Sequence, residues 1–126
     1  MRNKNIAILE AEKLKNLICE KYNLDFIKIK VKETLRGRAY YNNRIITIPF
    51  WAYSEGLNYF HYYILHELSH FINYDMNKSY GHNKKFKTIE KNLLKDFDLV
   101  PIYKRVYIKA LKNKSGNLVW KKKDLI

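Results

Sequence analysis

His66-Glu67-Leu68-Ser69-His70 is the stretch on which the reading of this chain turns. Four residues turn a helix by about 400°, so the two imidazoles lie roughly 40° apart and about 6 Å along the axis, a workable bite for one metal ion. Glu67 adjoins the first histidine and reaches a water beside that ion without ligating it. The H-E-x-x-H pattern is that of the zinc helix of metallopeptidases, with the glutamate as general base. From the His and Glu content here, a shuffled chain would carry it on the order of once in 150 times, so the surrounding sequence has to agree.

Immediately around it the sequence is helical. Leu57, Phe60, Ile64, Leu65, Leu68, Phe71 and Ile72 are apolar on most sides of a helix running to about Asn73, which predicts a central helix with Ser54 as its cap. Tyr59, Tyr63, His66, His70 and Tyr74 share one face. A loop is expected over 75–81, then a second helix from about Asn83 to Phe97, with Phe86, Ile89, Leu93, Leu94 and Phe97 apolar. A catalytic zinc site takes three protein ligands and a water. Of the remaining histidines, His61 points about 140° away from His66 on the same helix. His82, after Gly81 at the start of the next helix, is the better third ligand.

Farther upstream, residues 4–22 carry a helical stripe of Ile6, Leu9, Leu14, Leu17 and Ile18. Residues 26–32 alternate, with Ile27, Ile29 and Val31 on one face, and read as a strand. Residues 38–41 and 44–48 flank Asn42-Asn43, a pair that tolerates positive φ and predicts a tight hairpin, and Pro49 closes it. Helix, three-stranded and largely antiparallel sheet, then two helices make an α+β domain over 1–100. Beyond Pro101, residues 102–111 and 118–123 read as a basic β-hairpin within the same single domain of 1–126.

Composition sets outer bounds. Hydrophobic residues at 47% and aromatics at 15% are enough for a core. Lys and Arg number 25 against 12 Asp and Glu, a net charge of +13, which favours polyanionic partners or reflects the lysine-rich spelling of an AT-rich genome. A lone cysteine, Cys19, excludes an internal disulfide and a cysteine zinc cluster, and is expected as a small core residue. With no secretory leader pattern and no apolar run approaching 18 residues, a cytoplasmic protein without membrane contact is expected.

The order of these parts resembles the SprT-like metallopeptidases, the group containing Spartan. The resemblance rests on His66-Glu67-Leu68-Ser69-His70 followed by His82-Asn83-Lys84-Lys85-Phe86, and on the hairpin of Thr34 to Tyr40 and Arg44 to Ile48. It covers roughly residues 5–98. Asn83 stands where the family usually has glycine, and residues 101–126 lack the cysteines of the zinc ribbon that many members carry. The resemblance implies a minimal zincin-like fold and one Zn²⁺ per chain held by His66, His70 and His82. Glu67 would take a proton from the zinc-bound water, whose pKa falls towards about 7, and pass it to the leaving amine of a peptide bond. Tyr74 or Tyr80 would be the second oxyanion donor or a substrate contact. A protein or peptide would bind in extended form along the sheet edge near Tyr40, Arg44 and Ile46.

Two other readings compete. Trp120 with Lys121, Lys122 and Lys123, in a tail also holding Lys104, Arg105, Tyr103 and Tyr107, suggests a nucleic-acid module that prefers single-stranded DNA, with zinc structural or vestigial. The two activities combine in a peptidase acting on DNA-associated proteins. ImmA/IrrE-like regulatory peptidases also use H-E-x-x-H, but usually take a carboxylate as third ligand, where His82 fits better here.

Overall fold

The structure, a computed structural model, describes residues 4–97, 99, 110–112 and 118–120. Three strands, β1 (Lys28–Lys32), β2 (Arg38–Tyr40) and β3 (Ile45–Pro49), form one sheet in the order β1-β3-β2. Ile27, Ile29 and Val31 turn inward as the alternation predicts. The pairing differs from the largely antiparallel sheet expected. β2 lies antiparallel to β3, but β1 runs parallel to it, in register from Lys28↔Ile45 to Lys32↔Pro49. Alternation of side chains specifies which face of a strand is buried and leaves its partner open. Here the chain crosses from β1 to the far side of β3 before the hairpin begins, which makes β3 central and leaves β2 at an edge.

The hairpin turn also differs from expectation. Arg44, with φ 52°, takes the left-handed conformation expected of Asn42-Asn43, and its N–H donates to Tyr41 O at 3.3 Å. That backbone is unfavourable for a residue with a Cβ, by roughly 1–2 kcal/mol. The side chain offsets the strain. Both terminal nitrogens of Arg44 donate to the Asp75 carboxylate at 3.0 and 2.9 Å, Nε donates to Phe26 O at 3.2 Å, and the guanidinium lies over the Phe71 ring. Lys28 N–H donates to Arg44 O at 2.9 Å, so one residue joins the start of β1, the turn and the central helix.

The described residues include four helices, α1 (Lys4–Lys21), α2 (Phe50–Ser54), α3 (Leu57–Asn77) and α4 (Lys84–Asp96); the first three pack against the sheet and α4 packs on α3. In α1 the buried face is Ala7, Ala11, Leu14, Lys15 and Ile18, while Leu9 and Leu17, expected on that face, are 69% and 53% exposed. Small side chains let the helix approach its neighbours closely, which a search for large apolar residues overlooks. Cys19 is half-buried against the core, and burial pushes its thiol pKa up. Ser54 ends the short helix α2 instead of capping α3, which starts after Gly56 with φ 120° and no side-chain cap. α3 runs four residues beyond Asn73 and stops at Lys78, whose left-handed backbone donates its N–H to Tyr74 O. As expected it is central: Phe60, Ile64, Leu65, Leu68, Phe71 and Ile72 are all fully buried.

Ala110–Lys112 and Leu118–Trp120 pair antiparallel as β4 and β5. The rest of the basic hairpin expected over 101–126 lies outside the described residues. No helix among the described residues is long and apolar enough to cross a membrane.

The departures in the α1 packing face and the hairpin turn yield a stability test by chemical denaturation. Ala11→Leu overpacks a closed contact and should cost about 1–3 kcal/mol, whereas Leu9→Ala should stay within about 0.5 kcal/mol. Arg44→Ala, which strands the half-buried Asp75 carboxylate, should cost about 2–3 kcal/mol.

Candidate metal centre

Helix α3 supplies two histidines and the start of α4 the third. The chain reverses between them through Lys78 and Gly81, both with positive φ, at 51° and 77°. Asn83 then caps α4, its side-chain oxygen accepting from Phe86 N–H at 2.9 Å. Its φ of −76° shows that it is used for its capping oxygen and not for left-handed backbone. This places His82 over α3. One ring nitrogen from each of His66, His70 and His82 lies within 4.8 Å of the others, close enough to hold a metal ion. His66 Nε2 and His82 Nε2 are 3.2 Å apart, against about 3.3 Å for two nitrogens in tetrahedral positions at a zinc–nitrogen bond length of about 2.0–2.1 Å.

Surrounding groups set the state of each ring. Glu90, from α4, is almost wholly buried, and its Oε2 accepts from His66 Nδ1. With the proton on Nδ1, the Nε2 lone pair of His66 faces the other two rings. Burial lowers the His66 pKa, but the hydrogen bond to Glu90 and the charges of Glu67 and Glu90 together more than restore it, so the net direction is upward. His70 is pushed down to about 3, by burial first and then by the other two imidazoles. Burial and His66 also lower His82. His70 Nδ1 is buried without a hydrogen-bond partner among the described residues, and Phe86 stacks on its ring at 4.3 Å between centroids. An unanswered buried nitrogen costs roughly 1–3 kcal/mol. Two rings held neutral and a third whose Nδ1–H is already engaged leave three imidazole nitrogens close enough to hold a metal ion.

Glu67 is buried beside the cluster, and burial raises its pKa to about 7, with the His66 charge opposing and Glu90 adding to the rise. A glycine makes room for it. A Cβ at Gly37 would stand 2.6 Å from both Thr47 O and Tyr63 Cε1 and 3.1 Å from Glu67 Oε2. Gly37 N–H donates to Tyr63 Oη at 3.0 Å, and Trp51 Nε1 donates to Leu35 O at 3.1 Å, which hold the loop before β2 against the site. The result is a cleft of about 660 Å³ with β2 along one side and His66, Glu67, His70 and His82 among its lining.

Neither expected phenol is among the residues lining the cleft. Tyr74 and Tyr80 pack on each other and on Tyr41, at 4.9–5.2 Å between centroids, and Tyr41 is the member of that group that lines the cleft. Burial, the Glu67 charge and Tyr80 push Tyr41 up to about 12. Ile46 is fully buried and Arg44 is engaged with Asp75, so of the edge residues suggested by sequence only Tyr40 is exposed. His61 pairs with Glu10 at 3.5 Å, away from the cluster as its helical angle requires. Lys121, Lys122 and Lys123 lie outside the described residues, and Trp120 is described only by its place in β5. Sequence reading missed Glu90, Gly37 and Tyr41. Glu90 had a signal, an acidic residue one turn after Phe86 amid the apolar positions of α4.

Glu90→Gln keeps the shape and removes the charge that orients His66. Zinc affinity, measured by competition with a chromophoric chelator, should fall about 10- to 100-fold. An unchanged affinity would show that Glu90 serves packing alone.

No protein-family model matches the sequence, and neither does any curated protein or solved structure in the comparisons made, so the reading of this site rests on its own geometry.

Proposed function

We propose that the chain is a zinc-dependent metallopeptidase with Glu67 as its proton carrier. One observation carries the reading: three imidazole nitrogens converge within 4.8 Å beside a buried glutamate, in a cleft flanked by the edge strand β2. Zinc held by His66, His70 and His82 would supply Lewis acidity and bring the pKa of water towards about 7.

The remaining work belongs to the chain. A Glu67 carboxylate oxygen accepts a proton as water oxygen bonds to the substrate carbonyl carbon. It returns that proton to the amine nitrogen as the carbon–nitrogen bond breaks. A carboxyl raised to about 7 by burial can do both near neutrality, and a nearby cation shifts the balance towards the carboxylate form. Tyr41, protonated throughout the physiological range, lines the cleft and offers an O–H donor there. The side of β2 that is unpaired among the described residues offers backbone groups to an extended peptide. The lysines after Pro101 support nucleic acid as a second partner of the same protein.

Glu67→Gln should retain one zinc per chain and lose about 10²–10⁴-fold in peptide hydrolysis. His82→Ala should lose both zinc and turnover. Elemental analysis beside a quenched-fluorescence peptide assay reads both, and full activity in zinc-loaded Glu67→Gln would remove this residue from the mechanism.

A further inference from the structure

The cleft has a marked charge asymmetry. Its lining includes Arg36, Arg38 and Lys87, and its one carboxylate among the described residues is Glu67. None of the three cations is in an ion pair among the described residues. Arg36 and Arg38 are the chain neighbours of Gly37, where a Cβ would lie 3.1 Å from Glu67 Oε2. Trp51 on Leu35 O and Tyr63 on Gly37 N–H anchor the backbone on both sides of Arg36. Lys87 stands across the cleft on α4, one residue after the Phe86 that stacks on His70.

The residue type is informative. This chain has five arginines among 25 basic residues, and three of the five lie among the described residues. Arg44 grips the Asp75 carboxylate with both terminal nitrogens, and the other two line the cleft. Arginine differs from lysine in offering a planar fork that matches a carboxylate. A peptide paired to the free edge of β2 would set its alternating side chains against Arg38, where an opposite charge is favoured. A nucleic-acid backbone has no amide groups for that edge.

From this we infer that the cleft selects an acidic peptide segment, with Asp or Glu side chains flanking the bond to be cut and held by Arg36, Arg38 and Lys87. The inference rests on the peptidase reading for its site and refines it by naming the substrate class.

The test uses the zinc-loaded full chain and three quenched-fluorescence peptides that differ only in the residues flanking a central Ala–Leu bond, which are Glu, Gln or Lys. The Glu peptide should exceed the Gln peptide in kcat/KM by about tenfold, with the Lys peptide lowest. The advantage should shrink at high salt. In the Arg36→Gln/Arg38→Gln/Lys87→Gln protein the Glu-to-Gln ratio should fall towards one. Arg38→Glu alone should shift preference towards the Lys peptide, which misfolding cannot imitate. Equal handling of the Glu and Gln peptides, or a ratio that survives the triple change, overturns the inference. Fluorescence anisotropy on Glu67→Gln protein reads the same preference without turnover. Binding of the Glu peptide that depends on the arginines, with none of the three cleaved by the unaltered protein, sinks the peptidase reading and keeps the charge selection. Cleavage of all three at one rate does the reverse. A short DNA strand that binds with the same arginine dependence, while Glu and Gln peptides bind alike, overturns the inference in favour of nucleic acid.

Discussion

A helix buried on nearly every side carries the site, and each polar group on it has to be answered by a neighbour. Leaving a buried polar group unanswered costs as much as a large share of a domain's net stability. On α3 the answers are specific. Glu90 accepts from His66, Ser69 Oγ donates to Leu65 O one turn back, and Asn77 Nδ2 donates to Asn73 Oδ1. The buried side-chain atoms left unanswered among the described residues are His70 Nδ1 and Asn73 Nδ2. The first of these is on a ring of the histidine cluster, whose three members lie close enough to hold a metal ion.

The same demand explains why elements distant in sequence meet at Glu67. A carboxylate inside the fold needs space on its open side and firm packing elsewhere. Gly37 gives the space because it lacks a Cβ, while Tyr63 takes the Gly37 N–H and fixes the loop. Arg44 works in a similar way on the other end of the hairpin: a strained backbone is held because its guanidinium answers Asp75 and caps the loop carbonyl of Phe26. The hairpin is therefore fastened to α3 at two places, beside the general-base candidate and near the helix end. Between them the short strand β2 is held at the rim of the cleft, with one side unpaired among the described residues.

Charge around this cleft is arranged in layers. The innermost carboxylates, Glu67 and Glu90, are buried against imidazoles, and the outer cations Arg36, Arg38 and Lys87 face solvent. Exposed cations are weakly coupled to one another through water and respond to whatever enters. Under the proposed function the inner layer would serve metal binding and proton transfer, and the outer layer the recognition of an incoming chain.

Much of the site could be read directly from the sequence because its parts are local. The spacing of His66, Glu67 and His70 on one helix face follows from 3.6 residues per turn, and the angular position of His61 excludes it by the same rule. The alternation of Ile27, Ile29 and Val31 gave the buried face of β1, and the apolar coverage of residues 57–72 gave a central helix. Tertiary structure decided what depends on partners. That β1 pairs parallel to β3 follows from the path of the chain around the sheet, which no local pattern encodes. The use of Ala7 and Ala11 as the packing face of α1 depends on how near its neighbours come. Glu90, Gly37 and Tyr41 join the site because α4, the loop before β2 and the hairpin turn converge on α3, and burial then gives each an energetic role that its residue type alone does not specify. Local geometry is a property of the chain and can be read along it. Burial, pKa shift and close approach exist only once separate segments exclude water from one another.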